Sequence, residues 1–234
     1  MALPKLDVPS YEITLPLCKK VIKFRPFLVK EQKNLLMAME SSDSLSVQNG
    51  IRDILNNCTI TEGIDLDKLP IIDIEYYFIN LRAKSVGEVV ESKYRCNNIV
   101  EDKLCNNIME TKIDLTEIKI DRDEDINPEI QLTENLILKM KYPEFGIVEK
   151  SLAFDSINDI TFNMIADSIE YIYDGEQFYY DKDVPHKEIV EFIESLSQQH
   201  FAKIEEFFAN LPKLQKKVEM KCSRCGFEHK IDVE

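Results

Sequence analysis

Two short stretches far apart in the chain read alike, and they constrain its folding more than any other feature. The later one runs from Val218 to Ile231 and reads as strand, Cys222-Ser223-Arg224-Cys225-Gly226, strand. Two residues between the cysteines let a tight turn aim both sulfurs at one tetrahedral ion. Gly226 supplies the permissive backbone that such a knuckle needs. The earlier one, residues 94–113, has the same outline, with eight residues between Cys96 and Cys105. Its tail, Lys112-Ile113-Asp114-Leu115, echoes Lys230-Ile231-Asp232-Val233. Each hairpin is half of a site. Two of them face to face make a zinc ribbon, so the expectation is one structural Zn²⁺ held by Cys96, Cys105, Cys222 and Cys225. With all four positions filled by protein, no open position is left for catalysis. Iron uses the same Cys₄ geometry, but Zn²⁺ suits a chain with no other redox feature. Four unremarkable thiols are the competing reading, and a disulfide is disfavoured in a reducing compartment.

That compartment is itself an expectation. The N-terminus, Met1 to Asp7, has no apolar secretory segment, and no run approaches the roughly 18 apolar residues that span a bilayer. The 234 residues are 44% hydrophobic and 31% charged, which fits one large soluble domain, or a domain with a small appendage, with its own core. The net charge of −14 disfavours phosphate-rich and anionic-membrane partners, which require Lys and Arg in excess.

Periodicity gives the elements. Residues 11–17 and 20–27 alternate and form a hairpin turning at Cys18-Lys19-Lys20. Pro16 and Pro26 confine these strands to edges or ends. Helices are expected over 29–40, from a cap at Asp43 or Ser44 through Leu55, and over 66–84 with Pro70 in the first turn. Strands follow at 88–95 and 108–115 around the first cysteine pair, then at 116–121, 129–132 and 135–141. Helices return at 143–152, at 157–173 with Ile169 and Ile172 on the inner face, and as one long helix over 186–211. A short aromatic strand, Phe178-Tyr179-Tyr180, precedes the last of these. The fold class is α+β: a helical body with antiparallel hairpins and a Cys₄ module made by two distant hairpins. The units are 1–87, an N-terminal hairpin plus helices; 88–115, the first cysteine hairpin; 116–214, a sheet segment and helices; and 215–234, the second cysteine hairpin.

Other chemistry is thin. Cys18 and Cys58 neighbour apolar residues and read as core or turn thiols. His186 and His200 fall in a helical stretch, and no local Ser-His-Asp or Cys-His arrangement exists. His229 could support a ligand, but a surface position is expected. Asp181-Lys182-Asp183 resembles a Ca²⁺ loop, except that His186 stands where that loop needs Gly. The acidic run 121–125 reads as a solvated loop. Tyr76-Tyr77-Phe78 and the aromatics of 171–180 read as core or interface.

Two further segments, Arg25-Pro26-Phe27-Leu28-Val29-Lys30-Glu31 and Leu81-Arg82-Ala83-Lys84-Ser85-Val86-Gly87-Glu88, combine with the split cysteine pairs. Together they resemble the baseplate hub proteins of T4-like bacteriophages, from about residue 10 to the end. The resemblance implies a non-enzymatic component or assembly factor of a contractile-tail hub. It would contact other hub and wedge proteins in the virion tail or, during assembly, in the host cytoplasm. Arg25, Lys30, Arg82 and Lys84 are interface candidates, as cations in short motifs on an acidic chain; internal pairing of Arg25 and Arg82 with carboxylates is the equal alternative. Two competing classes are kept. One is a nucleic-acid or transcription module using Lys93, Arg95, Lys103, Lys112, Lys221, Arg224 and Lys230 around the metal. The other is a hydrolase with a carboxylate pair hidden among the 43 acidic residues.

Overall fold

In the computed structural model, which describes residues 7–41, 43–121, 126–151 and 156–233, the first hairpin pairs β1 (Tyr11–Thr14) with β2 (Val21–Phe24). Its turn is pinned by Asp73, whose buried carboxylate accepts the N–H groups of Leu17 at 2.8 Å and Cys18 at 2.9 Å. The hairpin packs on three helices. α1 (Val29–Glu40) begins where Glu31 reaches back to the Leu28 N–H at 2.6 Å. α2 (Ser44–Cys58) is capped by Asp43, which accepts from Ser46 N–H at 3.0 Å, as the Asp-before-apolar-run pattern predicts. α3 (Ile71–Val86) has Pro70 as its N-cap and ends at Gly87, φ 130°.

The expected helix over 66–84 is therefore divided. Leu66–Lys68 is a separate 3₁₀ turn capped by Asp65, and Leu69 is extended because a residue before proline is steered out of the helical region. Leu15, Ile22, Phe24, Leu55, Tyr77 and Leu81 form this core, all fully buried. Burial of each such side chain stabilises the fold by about 1.5–3 kcal/mol. Tyr77 keeps its hydroxyl satisfied at 2.9 Å from Thr59 Oγ1.

β3 (Val89–Arg95) then pairs with β6 (Ile108–Asp114) from Val89↔Asp114 to Arg95↔Ile108. Between them sits a small hairpin of β4 (Ile99–Val100) and β5 (Lys103–Leu104). Asp114 accepts from Thr116 N–H at 2.9 Å and starts a 3₁₀ turn at Leu115–Glu117, so the strand expected from 116 shortens to β7 (Lys119–Asp121). The acidic run beyond Asp121, residues 122–125, lies outside the described residues.

A four-stranded antiparallel sheet forms the second core. β8 (Glu129–Gln131) and β9 (Ile137–Met140) precede α4 (Phe145–Ser151) and α5 (Ile157–Asp167); β10 (Ile169–Tyr173) and β11 (Phe178–Tyr180) complete the order β11-β10-β9-β8. The helix expected over 157–173 thus stops at Asp167. Ile169 and Ile172 do point inward, but from a strand, because Ile, Tyr and Ile pair between β9 and the aromatic β11. Asp174-Gly175 becomes the hairpin turn. The expected helix over 186–211 is two: α6 (His186–Glu194) and α7 (Gln198–Ala209), interrupted at Ser195–Ser197, where Ser197 caps α7 by accepting from His200 N–H at 3.3 Å. Ile189, Ile193, Ile204 and Phe207 close this core against Leu138, Met140 and Ile169. β12 (Lys213–Lys221) finally pairs with β13 (Glu228–Val233) on one side and β7 on the other. The helix-and-strand architecture agrees with the α+β expectation.

Candidate metal centre

β3–β6 and β12–β13 end in turns of one design. In the first, Cys96 N–H donates to Asn107 O at 2.8 Å and Asn106 N–H to Cys96 O at 3.0 Å. In the second, Cys222 N–H donates to Phe227 O at 2.8 Å and Gly226 N–H to Cys222 O at 2.9 Å. The strand registers match too: the residue before the first cysteine pairs with the third residue after the second, Arg95↔Ile108 and Lys221↔Glu228. The extra residues between Cys96 and Cys105 bulge out as β4–β5 without altering the knuckle.

The two turns meet sulfur to sulfur. Cys96 Sγ is 3.7 Å from Cys225 Sγ, Cys105 Sγ is 3.8 Å from Cys222 Sγ, and all four sulfurs lie within 4.8 Å of one another. A tetrahedron with metal–sulfur arms of about 2.3 Å has edges of about 3.8 Å. A disulfide needs sulfurs about 2.05 Å apart, so no pair is bonded. Cys96, Cys105 and Cys222 are buried and Cys225 is half-buried, with Met109 packed beside them.

The surroundings favour the thiolate at the two cysteines of the second hairpin and oppose it at the two of the first. The backbone N–H groups of Cys225 and Arg224 hold the Cys222 thiol down at about 6, and the Phe227 N–H with the Asn98 amide lowers Cys225. Burial pushes Cys96 up to about 12. At Cys105 the Asn107 N–H pulls downward, and burial with the neighbouring sulfurs outweighs it. Four negative sulfurs at this spacing repel one another, and a soft divalent cation at their centre removes that conflict. The donor set fits Zn²⁺, which these four cysteines would hold.

Residues beyond the cysteines complete the site. Asn98 Nδ2 lies 3.5 Å from Cys225 Sγ and Asn107 Nδ2 lies 3.5 Å from Cys222 Sγ, each tying one hairpin to the other. Arg224 Nη1 donates to Cys105 O at 3.1 Å. His229 is not at the surface, as expected from sequence, but 8% exposed, with Nε2 3.2 Å from Cys96 Sγ and its ring against Phe227. The alternation of β13 turns it inward. The asparagines had a signal in the sequence: Cys-Asn-Asn occurs at both Cys96 and Cys105.

The other candidates fall elsewhere. Arg25 points inward, to Glu31 at 3.0 Å and the carbonyls of Pro26 and Asn57, while Lys30 keeps its side chain 72% exposed. Arg82 Nη1 donates to Gly87 O at 2.8 Å, and Lys84 pairs with Glu88 at 2.7 Å beside the Tyr11 ring. Phe27 N–H donates to Ser85 Oγ at 3.0 Å, so the segments around 25–31 and 81–88 converge on one place. Cys58 is fully buried and its thiol is raised to about 11 by burial; Cys18 sits half-buried in the first turn. His186 lies 3.2 Å from Asp167.

Fold and site together define a mixed helix-and-strand protein in which a cluster of four cysteines brings together two hairpins distant in sequence. The family model described as T4 bacteriophage base plate protein matches residues 8–234, so the chain belongs to that family and is a structural component of the phage tail baseplate. No curated protein and no solved structure matches it. No helix among the described residues is long and apolar enough to cross a membrane.

Proposed function

We propose that this baseplate protein is a component or assembly factor of the tail hub, that Cys96, Cys105, Cys222 and Cys225 hold one structural Zn²⁺, and that it acts by contacts with other hub and wedge proteins rather than by turnover. The observation that carries this reading is the closed sulfur tetrahedron, with every corner supplied by protein. Such a centre is a staple. It fixes the hairpins of 88–115 and 215–234 as one module between the bodies of 1–87 and 116–214. Zinc binding is then coupled to folding. The work is done in the virion tail and, before that, in the host cytoplasm where tails assemble.

The nucleic-acid reading loses its main support at the same site. Lys93 pairs with Glu110, Lys112 with Glu91, Lys221 with Glu228 and Lys230 with Glu219, each across its hairpin. Cations already matched by carboxylates leave little positive charge for phosphates.

Elemental mass spectrometry on the purified full-length chain tests the metal: one zinc per chain is expected, lost in Cys96→Ser and in Cys222→Ser alike. Zinc surviving in either variant would separate the two hairpins and remove the shared site. Co-expression with tagged hub and wedge proteins tests the role. A stable complex with a hub protein is expected, and zinc-loaded chain that joins only wedge proteins would move it out of the hub.

A further inference from the structure

The residues that lengthen the first knuckle form an element of their own. β4 and β5 pair Ile99 with Leu104 and Val100 with Lys103 across a turn in which Glu101 and Asp102 take φ of 48° and 60°, the left-handed pair that suits a two-residue hairpin. Its base is fixed to the thiol centre, since Cys105 N–H donates to Asn98 O at 2.8 Å. Its aliphatic side chains face water: Ile99 is 65% exposed, Leu104 56% and Val100 44%. They add nothing to this chain's own core. An exposed aliphatic tip on a rigid mount is a feature built for contact.

Elsewhere on the molecule α2, α3 and α4 enclose a groove of about 530 Å³, walled by Val47, Ile51, Ile74, Phe78 and Val148. Two polar groups in it lack partners. Gln48 is 7% exposed, and neither its Nε2 nor its Oε1 has a hydrogen-bond partner among the described residues. Native structures rarely leave both ends of a buried amide unsatisfied. Glu75, an exposed residue lining the same groove, has no ion-pair partner among the described residues, and partial desolvation raises its pKa.

We propose that the groove of one copy receives the β4–β5 finger of a second copy. Ile99, Val100 and Leu104 match its apolar walls. Lys103, exposed beside them and without an ion-pair partner among the described residues, supplies the cation that Glu75 lacks. Among the described residues β4 and β5 pair only with each other, so their outer edges keep free donors and acceptors for the rim of a groove. Finger and groove are different surfaces, so the contact runs head to tail and either closes into a ring or extends.

Sedimentation velocity of the full-length chain, from about 1 to 100 µM, tests this, with zinc content measured on the same samples. The expected result is mass rising with concentration beyond the monomer. Leu104→Asp, on the exposed tip, should weaken association at least tenfold with zinc content and melting temperature unchanged. Lys103→Glu and Glu75→Lys should each weaken it roughly tenfold and restore it when combined across copies. A monomer over the whole range would overturn the proposal. So would association indifferent to Leu104→Asp, charge reversals that fail to compensate, or a groove filled by a different baseplate protein while this chain stays monomeric.

Discussion

Asn106 stands in the first knuckle where Gly226 stands in the second. Their φ angles are 53° and 74°, and each donates its N–H to the carbonyl of the first cysteine of its hairpin. Asparagine is among the few non-glycine residues that tolerate this region, because its short polar side chain bonds locally. The two turns therefore share one backbone path, reached by different residues.

This gives a directional expectation. No atom lies within 4 Å of where a Cβ on Gly226 would sit, so a substitution there meets backbone strain and not a clash. Gly226→Ala should cost about 1–2 kcal/mol, and Gly226→Asn distinctly less. Asn106→Gly should be nearly neutral and Asn106→Val costly. Urea unfolding of the zinc-loaded variants checks the ranking; equal losses for Gly226→Ala and Gly226→Asn would mean the left-handed turn is not what the site requires.

His229 tests whether the shell around the sulfurs matters to the metal. Its Nε2 is 3.2 Å from Cys96 Sγ, within hydrogen-bonding reach of that sulfur and outside the four-cysteine set. His229→Ala should keep one zinc per chain and bind it roughly tenfold more weakly, read by competition with a chromogenic chelator. Complete loss of zinc would instead make His229 a ligand.

These sites show how far the residues speak for themselves. The Asp43 cap, the helix at 29–40 and both cysteine hairpins follow local rules of capping, period and turn chemistry, and so were readable in advance. Ile169 and Ile172 were not, because a spacing of three suits both an inward helix face and a bulged strand. The choice was made by β9 and β11, which lie far off or beyond the turn. The same holds for His229. Alternation in β13 gives it one of two faces, and only docking of the other hairpin shows which face is buried. The meeting of 25–31 with 81–88 also rests on a contact, Phe27 N–H to Ser85 Oγ, that no local pattern encodes.

Asp73 carries a tertiary contact of similar reach. Its carboxylate, fully buried, accepts from both Leu17 and Cys18 N–H and closes the first hairpin onto α3. Hydrogen bonds to a charged acceptor are each worth about 1.5–3 kcal/mol. Asp73→Asn keeps the shape but turns an NH₂ toward one donor, so a loss of about 2–3 kcal/mol is expected. Chemical denaturation should show the drop without any change in zinc content, since the hairpin and the thiol centre share no residue. Wild-type stability in Asp73→Asn would place the hairpin's anchorage elsewhere.

The last expectation concerns acid. Glu31 is 3% exposed and holds Arg25 at 3.0 Å and the Leu28 N–H at 2.6 Å. Burial works to raise its pKa, but the Arg25 guanidinium and the Leu28 N–H outweigh it, and the net direction is down from 4.5. A carboxylate with a depressed folded pKa contributes stability in full above its ordinary value and loses it as pH falls below that value. Melting temperature should therefore decline below pH 4.5, and Glu31→Gln should flatten that decline while lowering stability at neutral pH. Arg25→Ala leaves the buried carboxylate without its main partner and should cost about 3 kcal/mol near neutrality. Lys30→Ala, from a side chain 72% exposed, should cost almost nothing. A Glu31→Gln variant with the wild-type acid limb would show that Arg25 and Glu31 do not act as a pair, and would return Arg25 to consideration as a contact for another protein.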